Sequence, residues 1–228
     1  DGIALYRGAR ARIVDVTIEK GRGAGIGITW DAQAEIIRTT VSDYWKGIGT
    51  FGDAQADVMN CTIHDNLGWG LIASGKSKLI AANNAILRNG NCGVAQWSDS
   101  SQAEFYNNLI IGNGWRKEWV CPCVGYWQGG HGKTFLNNNL FWQNVASETQ
   151  GLDFDIFANR RVKVSDYFSV TGNLSDHPGD IDSLGYPIHP ETWEYRAAGA
   201  KTKWDINLTE PYGIGPAFGV HSRHKKPD

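Results

Sequence analysis

From Asp1 to Asn144 apolar and polar residues alternate in short runs such as "RIVDVTI" and "DVMNCTI", broken by Gly, Asn and Asp. Alternation puts every second side chain on one face, so each run predicts a strand that buries one face. No helical periodicity appears before Ala146. The runs also recur: "AQAEIIRTTVSDY" from Ala32 is echoed by "AQADVMNCTIHDN" from Ala54, 22 residues later. A Gly followed by an apolar residue marks the repeat at Gly2, Gly25, Gly47, Gly70 and Gly93, at intervals of 23, 22, 23 and 23. Gly125-Tyr126 follows after 32, as though about nine residues had been inserted.

Asparagine keeps the same register. Asn66, Asn89, Asn113 and Asn144 close successive turns; Asn60, Asn83, Asn107 and Asn138 form a second column, and Asn84, Asn108 and Asn139 a third. Asn accepts left-handed backbone angles, and stacked amides hydrogen-bond as a ladder. Short strands, a 22–23-residue period and stacked Asn predict coils of a parallel β-helix, each adding about 4.8 Å.

The stretch "GIGTFGDAQADVMNCTIHDNLGWGLIAS" resembles the repeats of the pectate-lyase-like superfamily, with coverage of about residues 2–144. The later "DSLGYPIHPETWEYRAAGAKTKWDINLTEPYGIGPAFG" resembles the segment that closes many bacterial members. The resemblance implies an all-β, right-handed parallel β-helix with an irregular C-terminal cap. The expected organisation is a helix over residues 1–175, with a Trp-rich insert at 115–131 and an irregular segment at 145–167. Residues 176–228 would then form a closing segment and tail of the same domain. The absence of an N-terminal cap and the start at Asp1 suggest a piece of a longer chain, monomeric or embedded in it.

Composition narrows the partners. A net charge of -2 argues against nucleic acid, and no apolar run reaches the roughly 20 residues of a membrane helix. The resemblance implies a polysaccharide or oligosaccharide partner and a secreted, periplasmic or cell-surface location. Four cysteines lack the spacing of a zinc site, so no metal ligand set is assigned. The turn column Asp31, Asp53, Lys76 and Asp99 could offer oxygens to Ca²⁺, but Lys76 interrupts it and Asp is ordinary in turns. No other cofactor is indicated.

In β-helix proteins of this kind that act on sugars, the chain lies in a groove along one stacked sheet. Here the groove strand would contain "GIGIT", "GIGTF", "GLIAS", "GVAQW" and "GYWQG". Alternation turns Gly27, Gly49, Ile72, Ala95 and Trp127 outward, then Thr29, Phe51, Ser74, Trp97 and Gly129: no titratable group among them. Charge gathers elsewhere, at Lys20, Asp43, Asp65 and Arg88, one per coil, with His64 beside Asp65. Carboxylates about 5 Å apart on adjacent coils raise one pKa, invite a cation, or suit a retaining glycosidase. Asp43, Asp65, His64 and Arg88 are therefore the candidate catalytic groups. The opposing reading pairs Lys20 with Asp43 and Arg88 with Asp65 in a surface ion ladder.

The insert offers aromatic faces. Trp115, Trp119 and Trp127, with Trp97 one coil earlier and Trp69 before it, could grip sugar rings, with Arg116 and His131 adding polar contacts. Equally, these indoles could fold the insert onto the helix as a satellite core. Cys123 falls diagonally near Cys92, where a disulfide could pin the insert, and Cys61 reads as a packing residue. Two functions remain open: a polysaccharide lyase, epimerase or glycosidase, or a non-catalytic carbohydrate-binding or structural module of a larger secreted protein.

Overall fold

The computed structural model describes residues 1–117, 122–151 and 168–171. Each coil contributes one strand to each of three parallel sheets. The first coil sets the pattern with Ile3–Leu5 in sheet A, Arg10–Val14 in sheet B and Thr17–Glu19 in sheet C. Among the described residues, sheets A and B have seven strands and sheet C six, each strand bonded to the equivalent strand of the next coil. The described residues hold strands and turns and no helix.

Register carries the core. On sheet A, Ile3, Ile26, Ile48, Leu71, Val94 and Tyr126 stack in one inward column. On sheet C the column is Ile18, Val41, Ile63, Ile86, Ile110 and Phe141. Sheet B answers with Ile36, Val58, Ala81, Phe105 and Leu136. These residues pack into one continuous cluster, and the largest are sealed from solvent. Burying each such side chain contributes about 1.5–3 kcal/mol, which no single coil could collect alone.

The corners explain the asparagines. Asn66 Nδ2 donates to Asn89 Oδ1 at 2.9 Å, Asn89 to Asn113 at 3.0 Å, and Asn113 to Asn144 at 2.9 Å. Each oxygen also accepts the backbone N–H of the residue one coil below, ending at Tyr44. Tyr44 replaces Asn at the foot, and its ring fills the space left by Gly21. A second ladder joins Asn84, Asn108 and Asn139, and buried Cys61 occupies its lower rung, where its backbone N–H donates to Asn84 Oδ1 at 2.8 Å and a thiol stands in place of a side-chain amide. Burial pushes the Cys61 thiol up to about 12, so it packs as an inert thiol. The column Asn60, Asn83, Asn107 and Asn138 takes left-handed angles at the corner between sheets B and C. Asn60 is 1% exposed, which closes its "NCT" sequon to a glycan.

One boundary moves. Within the segment expected to be irregular, Ser147–Gly151 forms a sheet A strand paired with Val124–Gln128, because the exposed edge of that strand supplies its hydrogen bonds. Phe168–Thr171 adds a further strand on sheet B, paired with Lys133–Asn137. The expected closing segment, 176–228, lies outside the described residues.

Candidate functional site

The charge column is a backbone feature before it is a chemical one. Lys20, Asp43, Asp65 and Arg88 all have left-handed φ, between 49° and 65°, and Gln143 and Gly112 continue the column. They mark the corner between sheets C and A, just before the Asn ladder. Arg88 grips Asp65 with two bonds, Nε to Oδ1 at 2.9 Å and Nη2 to Oδ2 at 2.5 Å. His64 Nδ1 lies 2.7 Å from the same Oδ2. Burial alone would raise the Asp65 pKa, but the bonds and charges of His64 and Arg88 outweigh it and hold the carboxyl at about 2. Asp65 is therefore a locked anion rather than an acid with a proton to give. Asp43 stands apart, accepting from its neighbour Ser42 at 3.2 Å. The expected Lys20–Asp43 pair is replaced by Lys20–Glu19 at 3.8 Å, since the corner angle carries the lysine along its own strand. A similar fork joins Arg38 to Asp15 at the next corner, with no candidate chemistry beside it.

This geometry sets a pH dependence. The folded Asp65 pKa lies below its unfolded value of about 3.9, so its stabilisation is complete above that value and lost as pH falls toward 2. The side chain is 36% exposed, and solvent screening limits the contribution to about 0.5–1 kcal/mol. Asp65→Asn, which suits the left-handed angle, should unfold more easily than wild type by that amount at neutral pH. Urea titrations should find the difference gone near pH 2.

The outer face of sheet A is aromatic. Trp45, Trp69, Trp97 and Trp127 stand edge to face in a row, with successive ring centroids 6.2, 5.5 and 4.6 Å apart. Ile72, Cys92, Ala95 and Val124 lie among them, with Phe51 alongside, in a cluster separate from the core. Trp69 is 5% exposed and is satellite core, whereas Trp45, Trp97 and Trp127 are half-buried. Alternation along "DYWKGI" was the available signal for Trp45. The face also carries a charge that the pattern of Gly-apolar pairs missed. Lys46 shares its register with Ala24, its ammonium sits 5.0 Å from the Phe51 ring, and burial lowers its pKa.

Other expected binding residues scatter. Trp115 is 46% exposed, and its Nε1 donates to the Arg88 carbonyl at 2.8 Å, at the corner rather than in the row. Arg116 folds back over Trp45, its guanidinium 5.0 Å from the ring. His131 sits on a turn, where its backbone N–H donates to Asp99 at 2.8 Å and that bond lowers the Asp99 pKa. Trp119 lies outside the described residues.

The disulfide does not form in the structure. Cys92 is level with Val124, so Cys123, in the bend before that strand, lies one residue out of register with it. Cys92 donates to the Pro122 carbonyl and Cys123 to the Arg116 carbonyl, both as thiols. Among the described residues no three His, Cys, Asp or Glu side chains gather as a metal site. In the turn column, Asp31 and Asp99 each cap a backbone N–H of a neighbouring coil.

Sheet B holds polar chemistry that reading the chain for a single groove passed over. Its outward positions pair Arg12 with Glu35 at 3.0 Å and Lys78 with Glu104 at 3.5 Å, and Tyr106 donates to Glu104 at 2.8 Å. The signal lay in the opening repeat itself, "QAE" and "QAD", where the first and third residues face out.

No helix among the described residues is long and apolar enough to cross a membrane. Searches of curated proteins and of solved structures returned no match. The sequence profile of the right-handed β-helix region matches residues 1–159, well over half of the chain. With three parallel sheets and stacked Asn corners behind that match, the chain belongs to the right-handed β-helix family.

Proposed function

We propose that this chain is a carbohydrate-binding β-helix that holds an extended polysaccharide along the outer face of sheet A without cleaving it. One observation carries the reading: the successive coils of Trp97 and Trp127 present half-buried indoles in a row with Trp45, while Asp65, in the nearest carboxylate column, is bound up by Arg88 and His64. Indole surfaces pack against the apolar faces of sugar rings, and coil spacing repeats that contact along an extended chain. Lys46 adds a cation at the foot of the row, partly desolvated and so well placed to attract an acidic sugar. Glycoside hydrolysis at Asp43 and Asp65 would need one carboxyl kept protonated by a raised pKa, and Asp65 is held low.

Affinity electrophoresis through gels carrying single polysaccharides tests this. Wild type should be retarded by at least one of them, and Trp127→Ala should lose about tenfold in affinity, near 1.4 kcal/mol. Trp127→Phe should keep most of it, separating a lost ring face from a damaged fold. Equal retardation of Trp127→Ala and wild type by every polysaccharide would reject the sheet A face as the site.

A further inference from the structure

The first three coils carry a second surface, away from the tryptophan row. On the outer face of sheet B a groove of about 280 Å³ is lined by Arg10, Gln33, Glu35, Gln55 and Asp57 over an alanine floor. Gln33 is level with Gln55, and Glu35 with Asp57, so two amides and two carboxylates form a square of hydrogen-bonding groups. Arg12 ties Glu35 at 3.0 Å, whereas no ion pair among the described residues involves Arg10.

A separate feature stands at the turn that feeds this groove. Trp30 has φ 58° and is 48% exposed, three residues ahead of Gln33 and so within about 10 Å of chain. A bulky residue with a left-handed φ is an outlier, and the next two coils use Gly52 and Gly75 at the same point. Below it Arg7, also left-handed, places its guanidinium 4.7 Å from the Trp30 ring, and Tyr6 stands 5.7 Å away. No carboxylate among the described residues pairs with Arg7; Asp31, on the same turn, is engaged by the Gly8 N–H at 2.7 Å. Two coils thus hold an exposed indole and an arginine at left-handed positions where glycine would be easier, and neither Arg7 nor Arg10 has an acid partner among the described residues.

We infer that this corner binds an anionic saccharide unit. The open side of Trp30 takes the apolar face of the sugar ring, and Arg7 and Arg10 take its carboxylate or sulfate. Gln33, Gln55 and Asp57 bond its hydroxyls. The site is distinct from sheet A and shares with the proposed function only the general class of ligand.

Isothermal titration of the full chain tests it with three probes: tetragalacturonate, a sulfated carrageenan tetrasaccharide, and neutral cellotetraose. Wild type should bind one anionic probe more tightly than cellotetraose, and the preferred arm tells carboxylate from sulfate. Trp30→Gly, which relieves the backbone and matches the following coils, should melt no lower than wild type yet weaken that binding at least tenfold. Arg10→Gln should weaken it several-fold and leave cellotetraose unchanged. Wild type that binds neither anionic probe, or Trp30→Gly that binds both as wild type does, overturns the inference. Loss of anionic binding in Trp127→Ala but not in Trp30→Gly would also overturn it, while leaving the sheet A reading intact.

Discussion

Asn89→Ala is expected to lower the unfolding free energy by about 3–5 kcal/mol, read from urea denaturation. Asn89 Oδ1 accepts from the Asn66 backbone N–H at 3.2 Å and from Asn66 Nδ2 at 2.9 Å. Its own amide donates to the Ile63 carbonyl at 3.2 Å and to Asn113 Oδ1 at 3.0 Å. Every partner is buried, so truncation strands donors and acceptors where water cannot replace the lost bonds. Each stranded group costs about 1–3 kcal/mol, less what local relaxation recovers. Position matters as well. Asn89 lies inside the ladder, and a solenoid passes stability from each coil to its neighbours, so the loss should split the helix into weaker halves. Asn144→Ala, at the last rung of the ladder, should cost visibly less, and an equal cost would count against the ladder as a cooperative device.

Gly70→Ala is expected to cost about 3 kcal/mol, for a reason of space rather than hydrogen bonding. A Cβ there would stand 2.5 Å from the Gly93 carbonyl oxygen, 2.7 Å from Asn89 Nδ2 and 2.8 Å from Ile86 Cγ2. None of the three can step aside cheaply: the carbonyl belongs to a paired strand, the amide to the ladder and the methyl to the core. The same column holds Gly25, Gly47, Gly93 and Gly125, all crowded by the carbonyl of the next coil. This is the physical content of the repeated Gly. The corner is too narrow for any side chain where the chain turns into sheet A. Gly75→Ala should also destabilise, but through its φ of 75° and the nearby Gly52 backbone.

These two positions show what was readable from letters alone. Gly followed by an apolar residue placed Ile26, Ile48, Leu71, Val94 and Tyr126 in one column, and the strand pairing uses that register. It was legible because strand alternation and coil closure are both periodic, so one constraint confirms the other. Asn66, Asn89, Asn113 and Asn144 were legible for the same reason. The charged corner was legible only in part. Register told which residues share a column, and Arg88 does reach Asp65, but Lys20 takes Glu19. Long side chains at a left-handed corner choose among several partners, and no periodicity encodes that choice. Trp45 and Lys46 were hidden because they precede the Gly-apolar pair used for alignment, and Arg7 and Trp30 because a left-handed φ is unexpected for such residues. Cys92 and Cys123 are one residue out of register across the stack, and each thiol takes a different backbone carbonyl instead of bonding to the other.

The central claim is that this helix holds a sugar chain and leaves it whole. The direct test is to incubate wild type with each polysaccharide that retards it, with Ca²⁺ and with chelator, reading new reducing ends and unsaturated uronate absorbance together. The account predicts retention with neither signal above the protein-free control. Either signal, present in wild type and lost in Asp65→Asn, would contradict it and return the corner of Asp43, His64, Asp65 and Arg88 to catalysis.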